Sequence, residues 1–285
     1  MSDNSVIEIN DDIDKIDVDK IDVDKIDVDK IDVDKIDVDK NDDNIFTFDN
    51  EPHNGKPIAR IEISPNEKYL ITYSKEDCSI VGWDKDKGQP DVIVKINEDN
   101  KYGIESLCVF DDKKLAYNYK YDLINIIDLN NNGKKIALSF DVNVDPYYCT
   151  FNIKGEFILY SGVSNYFTDG NHKIIWIYST KTKNNKWECK RFYRIPEDYE
   201  LISISKYDKV YLFSNDSIYE WNINTEKSVK IFDNNKDKNK IETKNIRILS
   251  NEKFNILKVN DKIIVYSIEL GITIASLDIN DGNHL

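Results

Sequence analysis

From residue 45 onward the apolar positions come in short runs rich in Ile, Val, Tyr and Phe, cut by turns of Asn, Asp, Gly, Pro and Lys. Runs of about four to eight such residues between turn formers predict β-strands. The first four lie at 58–63, 68–73, 79–83 and 91–96, joined by the turns Ser64-Pro65-Asn66-Glu67, 74–78 and 85–90. The same order recurs as IESLCVF, KKLAYN, LINIID and KKIALSF. A third set reads YCTFNI, EFILYSG, KIIWIYS and WECKRFYRI. A fourth reads LISIS, KVYLFS, SIYEWN and KSVKIF, and a fifth NIRILS, KFNILKV, KIIVYSI and ITIASLD. No segment outside these strands carries an apolar stripe at the 3.6-residue helical period, so the body is read as all-β.

The spacing of the third strands fixes a repeat. Trp83, Ile127, Ile177, Trp221 and Tyr266 hold equivalent places and are 44, 50, 44 and 45 residues apart. The longer interval coincides with an insertion at 163–172. Four strands per period of about 40–45 residues is the pattern of a β-propeller, in which each sheet buries its faces against its neighbours. Burial on both faces explains why apolar runs such as 124–127 and 174–177 do not alternate cleanly. About five four-stranded blades are expected, near 58–96, 104–140, 147–194, 200–232 and 244–277, within a domain spanning 45–285. A further short strand at 45–48 is expected to complete a final blade whose remaining strands lie beyond Leu285, so the array reads as open or incomplete, with exposed blade faces.

Residues 1–44 are different in kind. The pentapeptide Lys-Ile-Asp-Val-Asp repeats five times over 15–39, and the segment holds 17 acidic residues against six lysines, a net charge of -11 out of -14 for the chain. A five-residue period flips the apolar pair from one side of a strand to the other and scatters it around a helix. Self-repulsion extends such a chain, so this tail is read as disordered. It holds neither Gly nor Glu from 11 to 43, which argues against a calcium loop. It could add to a sheet edge.

The segments Ser64-Pro65-Asn66-Glu67-Lys68-Tyr69-Leu70 and Asp77-Cys78-Ser79-Ile80-Val81-Gly82-Trp83-Asp84 resemble the core of a WD repeat, with its Ser-Pro turn and terminal Trp-Asp. The resemblance covers about 58–277, closely only in the first unit; Trp221-Asn222 and Ile127-Asp128 are half-matches. It also extends to a fungal group of WD-like proteins, some fused to ion-transport domains. The family's Gly-His dipeptide is missing from all five units, with Pro52-His53-Asn54-Gly55 only an echo, so its Asp–His–Ser/Thr–Trp hydrogen-bond network is not assumed. The resemblance implies protein binding through the rim loops.

The remaining chemistry narrows the choice. The four cysteines, Cys78, Cys108, Cys149 and Cys189, form no C-x-x-C pair, so no metal site or cofactor is expected. No secretory leader and no membrane span are read, and a cytoplasmic location is the default. A near-neutral body disfavours nucleic acid. The stretch 181–194 interleaves Lys and Arg with Trp187, Phe192 and Tyr193; it reads as a lysine-blunted edge strand, and as a possible contact for the acidic tail. Only three histidines and four arginines are present, and no catalytic set is assembled from them. The leading expectation is a non-catalytic scaffold that binds a protein partner through Tyr102, Tyr147, Tyr166, Phe167 and Tyr199. The alternatives are a regulatory portion of a larger membrane-associated protein and, more remotely, a propeller hydrolase.

Overall fold

The computed structural model describes residues 45–46, 51–96, 103–119, 124–139, 144–164, 171–181, 185–233, 241–250 and 253–279. The acidic tail at 1–44, Tyr102, Tyr166 and Phe167 lie outside them. Every regular element among the described residues is a strand or a single 3-10 turn.

Twenty-three strands follow in chain order among the described residues. β1 (Ile45–Phe46), β2 (Arg60–Ile63), β3 (Tyr69–Ser74), β4 (Ser79–Asp84) and β5 (Pro90–Lys95) form the first sheet. β6 (Ile104–Val109), β7 (Lys114–Tyr119), β8 (Asn125–Asp128) and β9 (Lys134–Lys135) form the second. After β10 (Ala137–Leu138), the third sheet takes β11 (Val144–Phe151), β12 (Glu156–Ser164) and β13 (Asn171–Ser179), passes through β14 (Lys186–Trp187), and ends on β15 (Cys189–Ile195). The fourth contains β16 (Glu200–Ile204), β17 (Lys209–Ser214), β18 (Ser217–Asn222) and β19 (Lys227–Asp233). The fifth contains β20 (Ile246–Ser250), β21 (Phe254–Val259), β22 (Lys262–Ser267) and β23 (Ile272–Asp278). Each is an antiparallel meander, the blade of a β-propeller.

Successive blades bury their faces on one another. Tyr69, Ile71, Ile80 and Val94 of blade 1 meet Leu107, Leu115 and Ile127 of blade 2. Cys108, Ala116 and Ile126 of blade 2 meet Cys149, Phe151, Phe157 and Leu159 of blade 3. The other parity of blade 3, Ile158, Tyr160, Ile175 and Ile177, meets Val210, Leu212 and Trp221 of blade 4. Tyr211, Ile218 and Ile231 then meet Leu257, Val259 and Ile264 of blade 5. Neighbouring residues of β12 thus face opposite cores, so an inner blade has no polar side. Fully burying each such side chain contributes about 1.5–3 kcal/mol. The end blades behave otherwise: β21 alternates exposed and buried along its length, and β2 alternates exposed with half-buried.

Two strands depart from the sequence reading. The N-terminal strand does not wait for a distant blade: β1 pairs antiparallel with β5, Ile45 opposite Val94, as a fifth strand on the outer edge of blade 1. The run 134–140 is not one strand either. β9 stays with blade 2, Ile136 turns into the core between blades 2 and 3, and β10 pairs in parallel with β14 of the next blade. The Ala137 amide donates to Asn185 O at 2.8 Å, and the Tyr178 hydroxyl donates to Ser139 O at 3.3 Å. Burying Trp187 completely between the two blades draws the strand across. All four cysteines are free thiols.

Candidate protein-binding surfaces

Blade 1 carries a polar relay on the face turned away from blade 2. The indole Nε1 of Trp83 donates to Thr72 Oγ1 at 2.9 Å, and Thr72 Oγ1 lies 2.8 Å from His53 Nε2. On the other side of the ring, His53 Nδ1 lies 2.6 Å from Ser79 Oγ, which donates to Asp77 Oδ1 at 2.6 Å. A neutral imidazole protonated on Nδ1 satisfies every link: Trp83 to Thr72, Thr72 to His53, His53 to Ser79, Ser79 to Asp77. Lys95 Nζ completes the Asp77 carboxylate at 3.2 Å. Burial pushes the Asp77 carboxyl up, but Ser79 and Lys95 outweigh it and hold it below the usual range. Burial pulls His53 below its ordinary value against the opposing pull of Asp77.

These are the residue types of the Asp–His–Ser/Thr–Trp network, which the missing Gly-His dipeptide gave no ground to assume, here with Ser79 set between His53 and Asp77. His53 reaches it from a 3-10 turn, Pro52–Gly55, in which His53, Asn54 and Gly55 all adopt positive φ. That backbone costs non-glycine residues about 1–2 kcal/mol each, which the buried hydrogen bonds offset. The only signals in the sequence were His53 beside Asn54-Gly55 and the intact Asp77–Trp83 segment.

The turns between first and second strands form a hub. Asp111 of blade 2 accepts from Ser64 Oγ and Asn66 Nδ2 of blade 1, both at 2.7 Å. Asn152 Nδ2 of blade 3 donates to Asp208 of blade 4, and the Ile153 amide donates to Lys206 O at 2.9 Å. Lys206 Nζ then donates to Pro65 O of blade 1 at 2.8 Å, joining residues 141 apart in sequence.

At the opposite end lie the turns between second and third strands and the connections between blades. Here β12 and β13 run to nine residues each, past the six of β3 and β17, and their register continues to Ser164 opposite Asn171. The predicted insertion is therefore a hairpin extension as far as Ser164 and Asn171; residues 165–170 lie outside the described residues. Tyr147 sits at its base. A β-bulge between Pro146 and Tyr148 turns the ring onto β12, where its centroid lies 5.8 Å from that of Tyr160. The hydroxyl covers the bare Cα of Gly162, at a point only 2.4 Å from where a Cβ would stand. Tyr147 remains 47% exposed. Burial, with Asp145 and Glu105 close by, pushes its phenol up, so it presents a neutral hydroxyl. Beside it Lys173 donates to Tyr199 O at 3.1 Å, and the buried Nδ1 of His172 lacks a hydrogen-bond partner among the described residues.

Tyr199 is placed differently from Tyr147. It is 6% exposed and stacks edge-on against Tyr219 at 5.6 Å in the core between blades 3 and 4. The aromatics of 181–194 are also internal: Trp187, Phe192 and Tyr193 are all buried, leaving no stacking platform. Lys190 is paired with Glu156 at 2.8 Å and Arg191 donates to Asn224 at 3.2 Å. Arg60 and Arg247 lie on the inner strands of blades 1 and 5, and Arg191 and Arg194 on the outer strand of blade 3.

The two ends of the array expose apolar side chains. On blade 1 these are Ile58, Ile61 and Ile63; on blade 5 they include Leu249, Ile256, Ile272 and Leu277. No helix among the described residues is long and apolar enough to cross a membrane.

No family model and no curated protein matches the chain. Solved structures with a similar strand arrangement include apo AztD from Citrobacter koseri (10% identity, 79% of this chain and 73% of that one, TM-score 0.49). Another is the β-propeller domain of Cps50 (Swd1) from Myceliophteria thermophila (13% identity, 78% and 72%, TM-score 0.46). A third is the dihydro-heme d1 dehydrogenase NirN in complex with DHE (11% identity, TM-score 0.48), where the match takes in 78% of this chain and spans about half, 47%, of that protein.

Proposed function

We propose that the chain is a non-catalytic β-propeller that recognises another protein through the rim carrying the β12–β13 hairpin. The observation that supports this most is the exposed Tyr147 at the base of a protruding hairpin. A rigid aromatic side chain beside a raised loop is the kind of anchor that dominates protein interfaces. The hairpin tip, which in sequence carries Tyr166 and Phe167, would complete the anchor, with Tyr102 on the connection into blade 2. Tyr199 would support the surface from below through its carbonyl and Lys173. The relay in blade 1 favours grouping that blade with WD-type repeats, whose use as interaction platforms agrees with this reading.

Affinity capture with the full chain tests it. A partner retained by the wild type should be lost at least tenfold from Tyr147→Ala and from Tyr166→Ala/Phe167→Ala, with unchanged thermal midpoints. Capture of nothing above background, or of a partner indifferent to both variants, rejects the rim.

A further inference from the structure

We propose that the acidic repeat segment, residues 15–39, docks in cis on the open face of blade 5. The chemistry of that face selects its occupant. Strand register sets Leu249, Ile256, Val265 and Ala275 in one cross-strand row, and Arg247, Lys258, Ile263 and Leu277 in the next. Leu249 is 71% exposed and Leu277 62%. Arg247 and Lys258 are direct cross-strand partners of like charge, an arrangement that opposes pairing unless an anion lies between them. The Arg247 guanidinium donates to two backbone carbonyls, of Lys244 and Ile246. Neither it nor Lys258 has a carboxylate partner among the described residues. Both line an open depression of about 600 Å³, together with Lys244, Asn245, Asn260 and a single carboxylate, Asp261. Lys244 is paired with Glu242. The occupant must therefore be apolar and acidic at once.

A second copy does not meet that requirement. The end face of blade 1 exposes Ile61 and Ile63, whereas Thr72, Ser79 and Val81 further across it are buried. The Asp77 carboxylate on that side is already held by Ser79 and Lys95. A second blade 5 face would set cations against cations.

The repeat segment does meet it. In an extended stretch the five-residue period places Ile16, Val18, Lys20, Asp22, Asp24, Ile26 and Val28 on one side. Apolar pairs thus alternate with acidic pairs, with one lysine after each apolar pair, so that each period of this side carries a net charge of -1 toward a face whose apolar row lies beside its cationic one. The segment is tethered to the same molecule, because the chain enters the fold through β1 on the edge of blade 1. The repeats stand between 6 and 30 residues ahead of that strand, so the nearest can reach about 20 Å from it and the farthest about 100 Å. Tethering supplies an effective concentration in the millimolar range.

Limited proteolysis of the full chain with a lysine-specific protease tests the docking. At low salt, cleavage after the lysines at 15–40 should be at least tenfold slower in the wild type than in Arg247→Glu/Lys258→Glu. The single variant Lys258→Glu should fall between them. High salt should abolish the difference by screening. Both cations are exposed, so at high salt, where the tail is released in either protein, the denaturation midpoints should coincide. Replacing the repeat aspartates by arginines, which the protease does not cut, should restore protection in the double variant. Equal cleavage rates at low salt overturn the proposal. So does protection that rises with protein concentration alongside a dimer in light scattering, which would assign the face to a second copy.

Discussion

Thr72 holds together two side chains from different parts of blade 1. Its hydroxyl accepts from Trp83 and bonds His53, so Thr72→Val removes the partner of both at constant volume. The loss of a buried polar partner costs about 1–3 kcal/mol, and Thr72 is 4% exposed. The urea midpoint should fall accordingly. The same relay sets a pH response. His53 binds its proton less readily folded than unfolded, so its contribution is complete above its unfolded value, about 6.5. It is lost as the pH falls from there through the lower folded value, at no more than about 1.4 kcal/mol per pH unit. Denaturation midpoints between pH 7.5 and 5.5 should decline in the wild type and decline less in His53→Gln. Asp77, Asp91, Glu156 and Asp208 are all held below the usual carboxylate range, so they act in a separate window. Their contribution is present above about pH 4 and is lost only as the pH drops below it.

At the scale of elements, the strands of blades 1, 4 and 5 were legible because each run ended at a turn former and each third strand carried its marker aromatic. What escaped the sequence is what depends on a neighbour. Nothing within KKIALSF marks Ile136 as the point where the strand changes blades; the cause is Trp187, some fifty residues later, which must be buried. His53 escaped because three successive positive-φ residues delivered it, in place of a dipeptide motif. Tyr102, Tyr147 and Tyr199 look alike in sequence, each at the start of a blade. The bulge at Pro146 leaves Tyr147 outside, while Tyr199 goes into the core against Tyr219. The crossing strand invites a direct test. Ala137→Pro removes the amide that bonds Asn185 O and should destabilise the chain by about 1–3 kcal/mol. It should also raise Trp187 fluorescence quenching by acrylamide, whereas Lys134→Ala, at an exposed position of β9, should do neither.

For the whole molecule, a stack of blades in contact only with neighbours behaves as a one-dimensional array, in which either end can peel away for the price of one interface. The bond from Lys206 to Pro65 removes one of those ends. Blade 1 is secured through its core with blade 2 and, across the hub, to blade 4, whereas blade 5 depends on blade 4 and on whatever covers its open face. Native-state hydrogen exchange should therefore reveal an order of opening. Amides of β20–β23 should exchange first, through a partial unfolding that leaves the rest intact, and those of blades 1–4 should exchange together near the global limit. Lys206→Met keeps the aliphatic stem and deletes that bond together with the Glu67 ion pair beside it, at a cost of about 1–2 kcal/mol. It should split that single group in two, releasing the amides of β2 and β3 ahead of those of β12 and β17. One lysine would thus set how many independently melting parts the protein has.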